Sequence, residues 1–411
     1  MPISRRSLIG SAALAATLPG IAARAAASPG IKLGVLTDMS GTYSAETGKG
    51  SLACTEQAAS EFMAAHPGFK VDVISADHQN KPDVGSTIAR QWFDRDGVDA
   101  IVDTPTSSVA LAVNTVVKEK NKVFLNSGAG TPDLTGKQCT LNTVHWTYDT
   151  YMLGRSTGEA LVKAGGDTWY FITADYVFGH DLQDSTTLFV KRGGGKVLGS
   201  SAYPFPATTD FSSYLVRAKA TGAKVIGLAN AGTDTQNCVK QAHEFNIVSG
   251  GTRLAALLMT ITDVHALTLK TAQNLVLTES FYWNFNDGTR AFTKRVLPKM
   301  PNGLRPNMIQ AGCYSVALHY LKAAEKLGIA AAKANGAAAV SEMKKLPVDD
   351  EVFGKTTVRE DGRHLVPAYL FQVKTPEESK EPWDYYKLLA TTPAEEAAVP
   401  VADTGCYLDK A

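Results

Sequence analysis

A regular alternation of short apolar segments with amphipathic segments is the feature that most constrains the fold of this 411-residue chain. From Ile31 onward, strand-like segments such as IKLGVLTD, KVDVISAD and VDAIVDT alternate with segments such as GSLACTEQAASEFMAAH, whose apolar residues recur at helical spacing. The same rhythm continues to NLVLTES, near residue 280. Repeated strand–helix–strand units predict parallel sheets with helices on both faces. We therefore predict an α/β protein with two Rossmann-like lobes, each built on its own parallel sheet.

The last third of the chain has a different pattern. Residues 307–328 predict one long helix, and the alanine-rich stretch after it predicts a second helix that Gly336 interrupts. The segment GKTTVREDGRHLVPAYLFQVK predicts a β-hairpin that turns at residues 360–362. Residues 375–411 are rich in Pro, Ala and Glu, and they predict a poorly ordered or surface-wrapped tail.

The charge of the chain excludes some classes of partner. The 41 basic and 40 acidic residues leave a formal net charge of +1. No basic field is therefore available for nucleic acid or for an acidic membrane surface. We expect neither a nucleic-acid partner nor binding to a charged lipid surface.

Residues 1–27 predict an export signal that is removed from the mature protein. The paired Arg5 and Arg6 precede a short apolar run and a series of small residues, which resembles a twin-arginine (Tat) signal. Pro19 and Gly20 interrupt the apolar run, so it is too short for a membrane anchor. A fortuitous alanine-rich leader is the alternative. We predict a periplasmic protein without direct membrane insertion.

The five cysteines give no metal-binding pattern, since none forms C-x-x-C or zinc-ligand spacing. Cys54, Cys238 and Cys313 lie in helical patterns, where buried free thiols are the ordinary interpretation. Cys139 and Cys406 lie in polar, loop-like sequence, and an oxidising compartment permits disulfides. We hypothesise that these two cysteines pair and tie down the C-terminal tail. We expect no metal site.

Motifs for nucleotide binding and for catalysis are incomplete. Residues 48–53 match G-x-G-x-x-A but begin about ten residues after the strand, whereas the dinucleotide motif follows its strand directly. Residues 354–356 resemble the end of a P-loop but lack its upstream glycine. No G-x-S-x-G is present, and His243 and Glu244 lack the second histidine of H-E-x-x-H. We predict no enzymatic activity and no cofactor.

Loops rich in hydroxyls and glycine follow three strands of the first lobe, with the sequences DMSGTYSAETG, DTPTSSV and NSGAGTPDL. The carboxyl ends of parallel strands are where ligands bind in open sheets, and helix N-termini there favour anions. One helix N-terminus contributes only ~0.3–1 kcal/mol at the surface, and up to ~2 when partly buried. A micromolar ligand requires about −8 kcal/mol. Several loops must therefore converge, although each loop taken alone is also explained by ordinary capping.

The second lobe has comparable segments after its own strands: TADYVFGHD, LANAGTDT and MTITDVHAL. Aromatic rings such as Tyr176 and Phe178 can cover an apolar ligand, or they can pack in the core.

In this order and spacing, these segments resemble the periplasmic substrate-binding proteins of ABC transporters. The resemblance is to the type I fold and to the branched-chain amino acid-binding (leucine/isoleucine/valine-binding) family, over nearly all of the mature chain. It implies an exported, non-catalytic receptor that captures a small carboxylate-bearing ligand and delivers it to a membrane permease of an ABC importer. A ligand-sensing protein of the same fold, acting in signalling or regulation, is the alternative. We expect a monomer.

The resemblance also assigns ligand-binding residues. It implies that the strand-end loops of the first lobe hold the ligand carboxylate, that Tyr43 lies over the ligand, and that Phe178 matches a family tyrosine beside it. The expected ligand-binding residues are Ser40, Tyr43, Thr106, Ser107, Ser127, Gly128, Ala129, Gly130, Tyr176, Phe178, Asn230 and Asp263.

One departure from the family pattern concerns the ligand. Amino-acid binders of this family carry Gly-Pro-Glu after a later strand, and that glutamate binds the α-ammonium group. Here the region is LLMTITDVHAL, without a glutamate, and Asp263 is the possible substitute. Since burying an unpaired ammonium is costly, we hypothesise an amine-free carboxylic acid, which an aromatic ring would suit. An amino acid is the alternative.

The resemblance implies three crossings between the lobes, which we expect near Thr147, Glu279 and Asp350. Lobe one then comprises 28–146 and 279–349, lobe two comprises 147–278 and 350–375, and 376–411 form the tail. Periplasmic binding proteins are themselves a standard example of closure about such a hinge.

Overall fold

Two separate β-sheets organise the protein, and the computed structural model describes residues 30–248 and 251–408. The predicted export signal, residues 1–27, lies outside the described residues. Among the residues described, no helix combines the length and the apolar character needed to cross a lipid bilayer.

The first lobe contains a five-stranded parallel sheet with the order β2-β1-β3-β4-β5. Its central strands β1, β3 and β4 are almost entirely buried, as expected when helices cover both faces of a parallel sheet. The strands are β1 (Ile31–Thr37), β2 (Val71–Asp77), β3 (Ala100–Asp103), β4 (Val123–Asn126) and β5 (Thr143–His145). The helices between them are α1 (Gly48–Ala65), α2 (Pro82–Gln91) and α3 (Ser107–Lys120).

The second lobe repeats this architecture. Five strands run parallel in the order β7-β6-β8-β9-β10. They are β6 (Thr168–Ala174), β7 (Lys196–Tyr203), β8 (Val225–Ala229), β9 (Arg253–Ala256) and β10 (Val276–Glu279). The helices are α4 (Thr150–Lys163), α5 (Val177–Arg192), α6 (Ser212–Ala220), α7 (Gly232–Glu244), α8 (Ile261–Leu267) and α9 (Leu269–Ala272). The predicted α/β fold with two lobes is therefore confirmed.

After β10 the chain returns to the first lobe. The elements of this part are α10 (Asp287–Val296), α11 (Met308–Leu327), α12 (Ile329–Ala334), α13 (Gly336–Lys345), β11 (Val348–Asp350), β12 (Gly354–Val358) and β13 (His364–Leu365). Helix α11 packs against α1, and the Tyr314 hydroxyl donates to Glu61 Oε2 at 2.6 Å. The predicted hairpin is present, because β12 pairs antiparallel with β13 around the turn at residues 360–362.

The chain enters the second sheet again through β14 (Ala368–Val373), which pairs antiparallel with β10. The third passage between the two large sheets therefore follows β13, later in the chain than the expected position near Asp350. Strands β11 to β13 form a small separate sheet, and Arg363, directly before β13, is bridged to His145 of the first lobe.

The C-terminal region is part of the second sheet. Strand β15 (Tyr386–Thr392) pairs with β14 along its length, and α14 (Ala394–Ala397) follows. Tyr386 is buried, and its hydroxyl donates to Glu279 Oε1 at 2.7 Å. Where the sequence predicts a poorly ordered or surface-wrapped tail, this segment is an edge strand of the second sheet.

One disulfide fixes the end of the described chain. Cys139 and Cys406 are joined, with an S–S distance of 2.09 Å, across a sequence separation of 267 residues. Cys54, Cys238 and Cys313 are free and buried in the cores of the lobes.

Candidate functional site

The candidate site lies between the lobes, at the carboxyl ends of their strands. In each sheet the strand order reverses, between β1 and β3 in the first and between β6 and β8 in the second, and a crevice opens at such a point. A small cavity lies where the two crevices face each other. Its lining is Tyr43, Glu46, Thr47, Pro105, Gly128, Tyr148, Tyr176, Phe178, Ala231, Leu258 and Ile309.

Direct contacts between the lobes close this cavity. The hydroxyl groups of Tyr43 and Tyr176 hydrogen-bond each other at 2.5 Å, and the Thr233 N–H donates to the Thr42 carbonyl at 3.1 Å. Phe205 stacks on the ring of Tyr176 at 4.4 Å and on the ring of Tyr43 at 5.7 Å. The structure is therefore a closed form in which the aromatic residues seal the cleft.

The loop after β1 owes its shape to Asp38. The carboxylate of Asp38 accepts from the Gly41 N–H at 2.6 Å, from the Tyr43 N–H at 2.9 Å and from Asn80 Nδ2 at 2.7 Å. This network holds Tyr43 over the cavity. Ser40, in the same loop, is exposed and donates to Asp77 at 2.6 Å, so the structure places it outside the cavity lining.

The loop after β3 supports the cavity from behind. Thr106 donates through its hydroxyl to Asn80, and the Ser107 hydroxyl accepts from the Thr131 N–H at 3.2 Å. Both side chains are buried in these contacts and neither lines the cavity, whereas Pro105 does.

Strained backbone lies just before this loop. Asp103 and Thr104 have φ values of 79° and 66°, a conformation that costs about 1–3 kcal/mol for a residue other than glycine. Burial raises the pKa of Asp103 to about 7, and Thr37 donates to its Oδ2 at 2.7 Å. A Cβ atom on Gly128 would lie 2.5 Å from Asp103 Oδ1, so only glycine fits at that position of the cavity wall.

The glycine-rich loop after β4 contributes less than the sequence predicts. Gly128 lines the cavity, but the Ser127 hydroxyl donates to the Ile309 carbonyl at 2.7 Å. The Ala129 N–H donates to Asn126 Oδ1 at 3.1 Å and is not a donor for a ligand.

Gly130 is not among the residues that line the cavity, but it lies next to one of them. A Cβ atom added to it would lie 2.9 Å from the Phe178 ring, so the loop and that ring are in close contact. Within the described part of the chain, the N–H groups of Gly128 and Gly130 donate to no protein acceptor.

The second lobe contributes two of the expected aromatic residues. Tyr176 and Phe178 follow β6 at the start of α5, and both line the cavity. Asn230 lies outside the lining, where its Oδ1 accepts from the Thr235 hydroxyl at 2.7 Å in the first turns of α7. Asp263 also lies outside it, because its side chain caps α8 and accepts from the Thr260 N–H at 2.8 Å.

Several lining residues were not predicted from the sequence. Glu46 and Thr47 lie within the quoted loop after β1, but nothing in their local pattern separates them from their neighbours. Tyr148 lies on the first passage between the lobes and donates to the Gly128 carbonyl at 2.6 Å. Ile309 lies in the first turn of α11 and enters the site only through tertiary packing. The remaining unpredicted residues of the lining are Pro105, Ala231 and Leu258.

Buried acidic groups dominate the electrostatics of the site. Burial raises the pKa of Glu46 well above its usual range, and the neighbouring Asp263 carboxyl raises it further. Burial also raises the pKa of Glu279 to about 8, behind Asp263. Over residues 30–248 and 251–408, no group of three or more His, Cys, Asp or Glu side chains is arranged to hold a metal ion.

Comparison with solved structures gives extensive similarity to two bacterial proteins. A periplasmic binding protein from Burkholderia mallei is 45% identical and superposes with a TM-score of 0.88, covering 92% of this chain and 99% of that one. A branched-chain amino acid ABC transporter periplasmic ligand-binding protein from Burkholderia xenovorans is 38% identical, with a TM-score of 0.80, over 92% and 100% of the two chains.

Sequence comparison adds a curated relative, a Leu/Ile/Val-binding protein homologue of Brucella abortus that is 25% identical over 184 residues. That match covers 43% of this chain and 44% of the relative, so it spans less than half the length of either protein. A family model described as periplasmic binding protein matches residues 30–380. The chain therefore belongs to the periplasmic binding protein family, in the branched-chain amino acid-binding group of ABC transporters that its sequence resembles.

Proposed function

We propose that this protein is an exported receptor that captures a small carboxylate-bearing ligand between its lobes and delivers it to the membrane permease of an ABC importer. The observation that carries the proposal is the cavity between the lobes, which residues of both lobes line and which the Tyr43–Tyr176 contact closes. A ligand enclosed there is contacted by both lobes at once, so its binding favours the closed form. We propose that this closed form docks on the permease.

The lining favours a small ligand with an apolar body. Aromatic rings of Tyr43, Tyr148, Tyr176 and Phe178 surround the cavity, and such rings bury large apolar areas. The N–H groups of Gly128 and Gly130 are the candidate donors to a ligand carboxylate. These features support either an amino acid or an amine-free, aromatic carboxylic acid.

The same lining argues for binding without chemistry. It contains no serine, cysteine, histidine or lysine. Covalent catalysis needs a nucleophile with an adjacent base, whereas the Thr47 hydroxyl of this wall donates to the Tyr43 carbonyl at 2.9 Å. The 38% identity to a protein named as a periplasmic ligand-binding protein of a branched-chain amino acid ABC transporter supports transport. We propose the periplasm as the site of action, following removal of residues 1–27.

Native mass spectrometry of the purified protein tests this function. We expect a small carboxylic acid to remain bound in the native state and to dissociate on unfolding. The identified acid is then titrated by calorimetry into the wild type and into Tyr176→Phe. Loss of the Tyr43–Tyr176 hydrogen bond is expected to weaken binding by about 2- to 10-fold, since such a bond contributes ~0.5–1.5 kcal/mol.

Tyr214→Phe is the matched control, because Tyr214 packs on Phe211 in α6, away from the cavity. Its affinity for the acid should equal that of the wild type. Retention of no ligand, together with no thermal shift from a panel of amino acids and aromatic acids, would contradict the proposed function.

A further inference from the structure

Two carboxyl side chains from opposite lobes meet at the cavity. Glu46 lines it from the first lobe and is 2% exposed, and Asp263 lies against Glu46 from the second lobe and is fully buried. Both oxygens of Asp263 have partners, since Oδ1 accepts from Gln236 Nε2 at 2.7 Å and Oδ2 accepts from the Thr260 N–H at 2.8 Å. Among the described residues, Glu46 Oε1 has no hydrogen-bond partner. The Glu46 side chain also has hydrogen bonds with the Asp263 carboxyl and the Gly232 backbone N–H, so Oε1 is the acceptor left for a ligand.

The ionisable groups that face Glu46 are all acidic. They are Asp263 at the start of α8, Glu279 at the end of β10, Tyr148 between β5 and α4, and Tyr176 before α5. None of the groups that act most strongly on Glu46 is a lysine, arginine or histidine. Two buried carboxyls in contact are costly unless a proton or a cation lies with them.

We propose that Glu46 binds a protonated amine of the ligand, and that Asp263 adds negative charge to this subsite from the opposite lobe. The inference rests on the proposed function and makes it narrower, because the ligand then carries an ammonium group as well as a carboxylate. It also replaces the hypothesis of an amine-free acid, which came from the missing glutamate of the second lobe. The acidic partner of the amine lies in the first lobe, in the loop after β1.

Ligand binding is then coupled to proton release. Burial and the Asp263 carboxyl raise the pKa of Glu46, which favours its protonated form when no cation lies beside it. An ammonium group beside the carboxylate favours its ionised form and lowers that pKa. Binding of an amine-bearing ligand therefore favours release of that proton, and affinity falls as the pH falls.

Calorimetry with matched pairs of probes tests the inference. The pairs are 4-(aminomethyl)benzoate with 4-methylbenzoate, L-leucine with 4-methylpentanoate, and L-phenylalanine with 3-phenylpropanoate. We expect the ammonium-bearing member of at least one pair to bind about 10- to 100-fold tighter than its partner, as for a hydrogen bond to a charged group. Glu46→Gln should remove this preference, and Glu56→Gln, on the exposed face of α1, should keep it.

The outcomes separate the inference from the proposed function. Equal or tighter binding of the amine-free members, unaffected by Glu46→Gln, would overturn the inference and leave the proposed function in place. Binding of none of the probes would overturn both. If Glu46→Gln does not fold, the wild type alone provides the test. Its binding enthalpies are measured in phosphate and in Tris, whose ionisation enthalpies differ, and the difference between the two buffers should show proton release for the ammonium-bearing probe only. Equal proton exchange for both members of a pair would overturn the inference.

Discussion

His319 illustrates at the residue scale how burial sets the pH dependence of stability. It lies on α11, is 3% exposed, and its Nε2 is 2.8 Å from the Met343 carbonyl, so the neutral imidazole must donate there. Burial lowers its pKa from 6.5 to about 4. Between these values an unfolded chain binds a proton that the folded chain does not, so stability is lost as the pH falls through this window.

We expect the wild type to lose about 2–3 kcal/mol more stability than His319→Gln between pH 7.5 and pH 4.5, since one pKa unit corresponds to ~1.4 kcal/mol. Urea unfolding of both proteins at the two pH values gives the change in unfolding free energy of each. The contributions of the other titrating groups cancel when the two changes are subtracted. His243→Gln is the control, because His243 is exposed at the end of α7. Equal losses in the wild type and in His319→Gln would contradict the assignment.

At the candidate site, the sequence predicted which loops form the cavity better than it predicted which side chains line it. Tyr43, Gly128, Tyr176 and Phe178 lie at one cavity, because each follows a buried strand and parallel strands end at the same edge. Polar residues in the same loops have local structural roles, as Ser127 shows by donating to the Ile309 carbonyl. Hydroxyl side chains that cap helices or turns have the same local sequence pattern as hydroxyl side chains that contact a ligand. Only the tertiary structure distinguishes the two roles.

Elements of the fold were predictable where the local pattern was strong. The strand–helix units gave both sheets, and the turn at residues 360–362 gave the hairpin of β12 and β13. Strand β15 was missed, because its sequence YKLLATT lies in a region rich in Pro, Ala and Glu and five of its residues are exposed at the sheet edge. Its pairing with β14, which begins at Tyr386, three residues after the buried Trp383, makes it a strand.

The role of β15 in stability can be tested by truncation. We expect a chain that ends at Thr375 to lose more than about 3 kcal/mol relative to one that ends at Val399, as large losses accompany removal of buried side chains. The shorter chain loses buried Tyr386 and its bond to Glu279. Both truncated chains lack Cys406 and carry Cys139→Ser, so neither has the disulfide or an unpaired Cys139. Equal unfolding free energies in urea would show that this region is a dispensable tail.

The whole molecule is two lobes whose relative position decides what the site contains. Three passages connect the sheets, and a buried ion pair joins two of them: Arg363 Nε lies 3.2 Å from Asp149 Oδ2, and both side chains are 1% exposed. The Arg363 guanidinium also donates to the His145 carbonyl at 3.1 Å. This pair lies beside the passages and not in the cleft, so the contacts specific to closure are those that the loop after β1 makes with the loops after β6, β7 and β8.

Gly232 provides a selective test of closure. Its φ is +60°, and a Cβ atom there would lie 2.3 Å from the Thr42 carbonyl oxygen of the opposite lobe. Gly232→Ala should therefore keep the cleft partly open, with ligand affinity at least about 10-fold weaker and a larger radius of gyration by small-angle scattering when ligand is present.

Gly222→Ala is the matched control, because Gly222 has a φ of +72° and no neighbour within 4 Å. Both variants carry the same backbone cost of about 1–2 kcal/mol, so a difference in affinity and shape between them measures the contact with Thr42. If the two variants bind and close alike, the approach of Thr42 to Gly232 does not limit closure, and the aromatic contact of Tyr43 with Tyr176 would have to hold the lobes together alone.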